Sequence, residues 1–137
     1  MSKILLVYPN GNAYPMVPMA YTVLSSFLKK YGHEVELFDI TFVSKNNSEA
    51  HDAKNASKMV VNVDMKDWWQ HKKFDYLKLL EEKINWYNPD IVGFTVVESN
   101  YKFAIEMLKR VKQINKNLLT IVGGLFPTTS KEFFINN

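Results

Sequence analysis

Three short, continuously apolar runs, separated by stretches of helical period, constrain this chain more than anything else in it. They are Lys3-Ile-Leu-Leu-Val-Tyr8, Asp90-Ile-Val-Gly-Phe-Thr-Val-Val97 and Leu118-Leu-Thr-Ile-Val122. Runs of this length read as strands, and a strand apolar on both sides has to be covered on both faces, as in a parallel sheet. A further segment, Glu34-Val-Glu-Leu-Phe-Asp39, alternates and reads as another strand. Between the first two strands, Ala20, Val23, Leu24, Phe27, Leu28 and Tyr31 mark one face of a helix. Pro18 suits the first turn of that helix, Lys29 and Lys30 its negative end, and Gly32 its C-terminal cap.

A second helix is spaced by Tyr76, Leu77, Leu80, Ile84 and Tyr87 and stopped by Asn88-Pro89. A third carries Phe103, Ala104, Met107, Leu108, Val111 and Ile114, with Ser99 or Asn100 as its cap. The order β-α-β-(insert)-α-β-α-β-α predicts an α/β fold: a parallel sheet with helices on both faces. Residues 41–73 interrupt this regularity with loop-like Ser44-Lys-Asn-Asn-Ser48 and Asn55-Ala-Ser-Lys58, yet also contain Met59-Val-Val-Asn-Val63 and Trp68-Trp69. They read as an insertion or long functional loop within a single domain spanning 1–137.

The last segment gives two expectations. Leu118–Val122 runs into Gly123–Gly124, then a Pro127-Thr128 corner, then Thr129 and Glu132 at capping-box spacing before Phe133-Phe134-Ile135. A helix this short is not stable alone, so the reading expects a C-terminally incomplete unit whose next strand is missing through truncation.

Composition removes several function classes. With 137 residues and a hydrophobic fraction of 47%, the chain has room for one real core. No apolar run approaches the ~20 residues of a membrane span, and the N-terminal run is too short for a signal peptide. There is no cysteine, hence no disulfide, thiolate metal site or iron–sulfur cluster in the chain, and the cytoplasm is the expected compartment. The net charge of +3 comes from 17 basic and 14 acidic residues spread along helix faces, without the concentrated basic stripe of a nucleic-acid binder.

Parallel sheets collect ligands at the carboxyl ends of their strands, near the switch in strand order. That rule nominates Tyr8 to Asn12, Asp39 to Thr41, Thr95 to Asn100 and Gly123 to Thr128. The first loop, Pro9-Asn10-Gly11-Asn12-Ala13, has neither G-x-G-x-x-G nor G-x-x-x-x-G-K-[ST], so dinucleotide and P-loop readings fail. It also lacks the Ser/Thr richness of a flavin-phosphate loop. Asp39 reads as a loop-entry residue. Gly123–Gly124 permits positive φ or close approach by a flat ligand, and a plain tight turn explains it equally well. His33, His51 and His71 have no second ligand at metal-binding spacing. Trp68, Trp69 and Trp86 read as core or interface anchors. No Ser/His/Asp or Cys/His constellation can be assembled.

Taken together, several segments resemble the N-terminal cobalamin-binding domain of radical S-adenosylmethionine enzymes. They are Lys3-Ile-Leu-Leu-Val-Tyr-Pro9, Pro18-Met-Ala-Tyr21 with Leu24 and Leu28, and Tyr31-Gly-His-Glu-Val-Glu-Leu-Phe-Asp39. Asn88-Pro-Asp-Ile-Val-Gly-Phe-Thr95, Asn100-Tyr101 with Ala104, and Val122-Gly-Gly-Leu-Phe-Pro-Thr128 continue the series in the family's order. The resemblance implies a flavodoxin-like (Rossmann-like), doubly wound sheet, with the corrin ring and its nucleotide tail at the strand ends. It places cofactor contacts on Tyr8, Pro9, Asn10, Thr95, Glu98, Ser99 and Asn100, and on the turn Gly123, Gly124, Leu125, Phe126, Pro127 and Thr128. The glycine pair would let the backbone approach the ligand.

Two departures qualify it. Asp-x-His-x-x-Gly is absent at all three histidines, which resembles the branch where the tail base leaves cobalt without a protein His replacing it. Leu125-Phe126 stands where the family often has a His. The resemblance further implies that S-adenosylmethionine and a [4Fe–4S] cluster belong to a catalytic radical domain absent from this chain, joined in cis or as a separate subunit. The whole would be a methyltransferase or related radical catalyst. The alternative is a non-catalytic interaction domain that has kept the fold and lost the cofactor.

Overall fold

A computed structural model describes residues 1–11, 18–41, 43 and 75–136. The element order is β1 (Lys3–Tyr8), α1 (Met19–Lys30), β2 (Glu34–Asp39), α2 (Tyr76–Tyr87), β3 (Ile91–Thr95), a 3-10 turn (Glu98–Asn100), α3 (Tyr101–Ile114), β4 (Leu119–Gly123), α4 (Leu125–Thr129) and α5 (Lys131–Asn136). All four strands are parallel, in the order β2-β1-β3-β4. This is the flavodoxin-like α/β arrangement, and the order reverses direction between β1 and β3.

The main core lies on one face of the sheet. Leu5, Val7, Val92 and Phe94 meet Leu80 and Ile84 of α2 and Ala104, Met107 and Val111 of α3, and most of these side chains lose all contact with solvent. Asp75 starts α2 by accepting a hydrogen bond from the Leu77 N–H at 3.0 Å, and Asn88, at φ 50°, ends it in the left-handed conformation that asparagine tolerates. On the other face Ile4, Leu6 and Tyr21 form a smaller cluster with Leu28, Val35 and Ile91 around them. Gly32, at φ 81°, closes α1: its N–H reaches the Lys29 carbonyl and the His33 N–H reaches Leu28, the paired bonds of a Schellman ending.

Four expectations need correction. Among the residues of α1, Tyr21 is the buried one, whereas Val23, Leu24, Phe27 and Tyr31 stay exposed. The apolar stripe read from spacing therefore lies to one side of the face that packs on the sheet. Pro127 and Thr128 form no corner, since both lie inside α4. The Thr129 capping box does not form either: its hydroxyl bonds back to the Leu125 and Phe126 carbonyls at 3.1 and 3.2 Å, and the chain breaks at Ser130 before α5. Trp86, read as a core or interface anchor, is not in the core: it is 69% exposed with the Lys83 ammonium 4.5 Å above its ring, which leaves the interface reading. The insertion, apart from Thr41 and Val43, together with Trp68, Trp69, His51 and His71, lies outside the described residues.

Candidate functional site at the strand ends

The carboxyl ends of β1 and β3 lie side by side at the reversal of strand order, where an open parallel sheet leaves a crevice. Three loops border it. After β1, Pro9 is fully buried and Asn10 is 7% exposed. The Asn10 amide donates to the Thr41 hydroxyl at 3.0 Å, and that hydroxyl donates to Asp39 Oδ1 at 2.6 Å. The Thr41 N–H reaches the same carboxylate oxygen at 2.8 Å. Asp39 thus closes an Asx turn, as a loop-entry residue does. Gly11 lies against the ring of Phe103, which an added Cβ would meet at 2.4 Å, so the loop is seated directly on α3.

After β3 the chain is fastened twice. The Val96 N–H donates to the Gly123 carbonyl at 2.8 Å, and the Phe126 N–H donates to the Val96 carbonyl at 3.3 Å. Val97 and Asn100 exchange two bonds: the Val97 N–H reaches Asn100 Oδ1 at 2.9 Å, and the Asn100 N–H reaches the Val97 carbonyl at 3.1 Å. Asn100 is buried by this, and its side chain closes the 3-10 turn rather than capping α3.

After β4 the two glycines differ in kind. Gly124 sits at φ 107°, and a Cβ there would lie 2.5 Å from the Val96 carbonyl oxygen. Its lack of a side chain serves a backbone contact inside the protein. At Gly123, the last residue of β4, an added Cβ would meet nothing nearer than the Phe94 carbonyl at 4.0 Å, so a side chain would have room there. Leu125 projects outward, 72% exposed, while Phe126 turns inward among Tyr101, Phe133 and Phe134.

The nominated residues therefore divide. Glu98, Ser99, Leu125 and Thr128 are exposed on the rim, and Tyr8, Thr95, Gly123, Gly124, Phe126 and Pro127 are half-buried. Pro9, Asn10 and Asn100 are buried behind it. Tyr21 was not nominated, yet it lies at the centre. Its hydroxyl donates to the Val7 carbonyl and accepts from the Thr95 N–H at 3.0 Å, and its ring meets Tyr8 edge-on at 5.3 Å. Burial pushes the Tyr21 phenol up to about 12. Burial also raises Tyr8, helped by the negative charge of Asp39. In the sequence Tyr21 appeared only within the segment Pro18-Met-Ala-Tyr21 of the resemblance, and not as a site residue, because both of its partners are backbone groups.

A flat macrocycle suits this surface: room beside Gly123, apolar Tyr8, Val97 and Leu125, and polar edges at Glu98, Ser99 and Thr128. Among the described residues no group of three or more His, Cys, Asp and Glu side chains is placed to hold a metal ion. A groove of about 560 Å³ lined by Leu108, Lys112, Thr120, Val122 and Phe134 lies beside β4 on the α3 side, away from the crevice.

Comparison with known proteins agrees with the fold. Two structures of the radical S-adenosylmethionine methyltransferase TsrM from Kitasatospora setae superpose with a TM-score of 0.65. One has tryptophan and a S-adenosylmethionine analogue bound, the other cobalamin and a [4Fe-4S] cluster. At 22% and 23% identity they cover 98% of this chain and 22% and 21% of theirs. The cobalamin-dependent S-adenosylmethionine radical enzyme OxsB with aqua-cobalamin bound superposes at 0.56, with 22% identity over 99% of this chain and 16% of its own. At these identities the likeness is one of fold, and the chain spans about a fifth of the length of the TsrM chains. No curated protein matches. No helix among the described residues is long and apolar enough to cross a membrane. The model of the B12 binding domain matches residues 12–137, and the chain belongs to that family.

Proposed function

We propose that this chain is the cobalamin-holding module of a radical S-adenosylmethionine enzyme, a methyltransferase or related radical catalyst. The corrin rests at the carboxyl ends of β1, β3 and β4, against Tyr8, Thr95, Glu98, Ser99, Gly123, Leu125 and Thr128. Pro9, Asn10, Asn100, Gly124, Phe126 and Pro127 shape the loops behind them. The observation that carries this reading is the room beside Gly123 at the end of β4, in a chain of the B12-binding family. Cobalamin supplies the group-carrying or radical-tuning chemistry, and the protein supplies position and environment. S-adenosylmethionine and the cluster sit in a radical domain, in cis or as a separate subunit. The great length of the similar chains supports the cis arrangement.

A second reading has its own support. Leu119 and Ile121 on the edge strand β4 are 55% and 53% exposed, and Val23, Leu24 and Phe27 of α1 are also bare. Apolar surface of this kind marks interaction sites, and suits either the radical domain or a partner of a domain without cofactor. Mixing the purified protein with hydroxocobalamin or methylcobalamin separates the two. Co-elution on gel filtration with a shifted corrin absorption spectrum is expected. Retention of neither form contradicts the cofactor reading and leaves the interaction domain.

A further inference from the structure

Tyr21 stands where the ladder between β1 and β3 ends. The last paired residues are Val7 and Phe94, and one step further the Tyr21 hydroxyl stands between the Val7 carbonyl and the Thr95 N–H. A direct strand-to-strand bond would draw these two backbone groups together. One oxygen between them keeps both satisfied while holding the strand ends apart by its own width. The side chain doing this is 3% exposed and comes from α1, whose remaining length packs lightly, so the crevice width depends on one rigid ring. The ring also fixes Tyr8, with centroids 5.3 Å apart at 60°. Tyr8 and Thr95 are both assigned above to the corrin surface.

We infer that Tyr21 is a positioning residue for the cofactor site: its hydroxyl wedges the β1 and β3 ends open and sets Tyr8 and Thr95 at the spacing a flat ring requires. This rests on the cobalamin reading. Tyr21 itself does not touch the ligand.

Phenylalanine at this position keeps the ring and removes the wedge. The test compares unsubstituted protein, Tyr21→Phe and Leu6→Ala, the last loosening the same apolar cluster without touching either backbone group. In ligand-free protein, the Thr95 amide should stay protected from exchange in Tyr21→Phe, because loss of the oxygen lets it bond the Val7 carbonyl directly. Hydroxocobalamin affinity, read from the corrin spectrum, should fall about tenfold in Tyr21→Phe, because the narrowed strand ends no longer seat the ring, and change less in Leu6→Ala. The bound-corrin spectrum should differ in Tyr21→Phe alone. Equal affinity and spectrum for unsubstituted protein and Tyr21→Phe overturn the inference and leave the cobalamin reading standing. Failure of the unsubstituted protein to retain cobalamin overturns that reading and this one with it. Should Tyr21→Phe fail to fold, the unsubstituted protein still decides: Thr95 exchanging as fast as an unprotected amide overturns the wedge, and slow exchange supports it.

Discussion

Gly124 lies so close to Val96 that a Cβ on it would sit 2.5 Å from the Val96 carbonyl oxygen and 2.9 Å from its nitrogen. Its φ of 107° adds a conformation that side chains rarely adopt. The turn after β4 is thus built on a backbone-to-backbone contact, and that contact also sets where Gly123 faces.

The two neighbouring glycines should therefore respond oppositely to alanine. Gly124→Ala should cost about 3 kcal/mol of stability, from strain and displaced backbone together. Gly123→Ala should leave stability within about 1 kcal/mol while weakening hydroxocobalamin binding. Urea denaturation with a parallel spectral titration measures both. Equal stability loss in the two variants would contradict the division.

Alkaline pH tests the burial of Tyr21. Its folded phenol is held up to about 12 against an ordinary 10. Between those values the native state keeps a proton that the unfolded chain releases. The resulting stability is whole below pH 10 and declines as pH rises toward 12. The contribution is about 3 kcal/mol. Denaturation of the unsubstituted protein and Tyr21→Phe across pH 9 to 12 should show the steeper decline in the former. Parallel curves would place the hydroxyl in water.

Helix α2 separates apolar from ionic contributions within one turn. Leu80 is fully buried under the sheet, and Leu80→Ala should cost about 3 kcal/mol. Lys83 pairs with Glu36 at 2.6 Å, but the two side chains are 23% and 40% exposed. Lys83→Met should change stability by less than about 1 kcal/mol. Thermal melts of the two variants provide the comparison.

Particular residues show where sequence was enough. The run Lys3–Tyr8 and the spacing of Tyr76 to Tyr87 located β1 and α2 to the residue, because burial on the sheet writes a period into the chain. Gly32 was legible as a helix ending for a local reason, the positive φ that a C-terminal cap requires. The apolar stripe of α1 misled: spacing reports which residues are apolar, and Phe27 and Tyr31 are apolar on a surface that the described residues do not cover. Thr129 misled through competition, since a hydroxyl in a helix can bond backward to the preceding turn instead of capping the next one. In the candidate site, Tyr8, Thr95 and Gly123 followed from the rule about strand ends. Tyr21 and the Gly124–Val96 contact did not, because each depends on backbone atoms brought close only by folding.

Hydrogen–deuterium exchange with and without hydroxocobalamin tests the location of the cofactor most directly. New protection should concentrate at Glu98 to Ser99 and at Gly124 to Leu125, with α2 and the α2-facing half of α3 unchanged. Cobalamin that binds while these strand-end amides exchange as before would contradict the account.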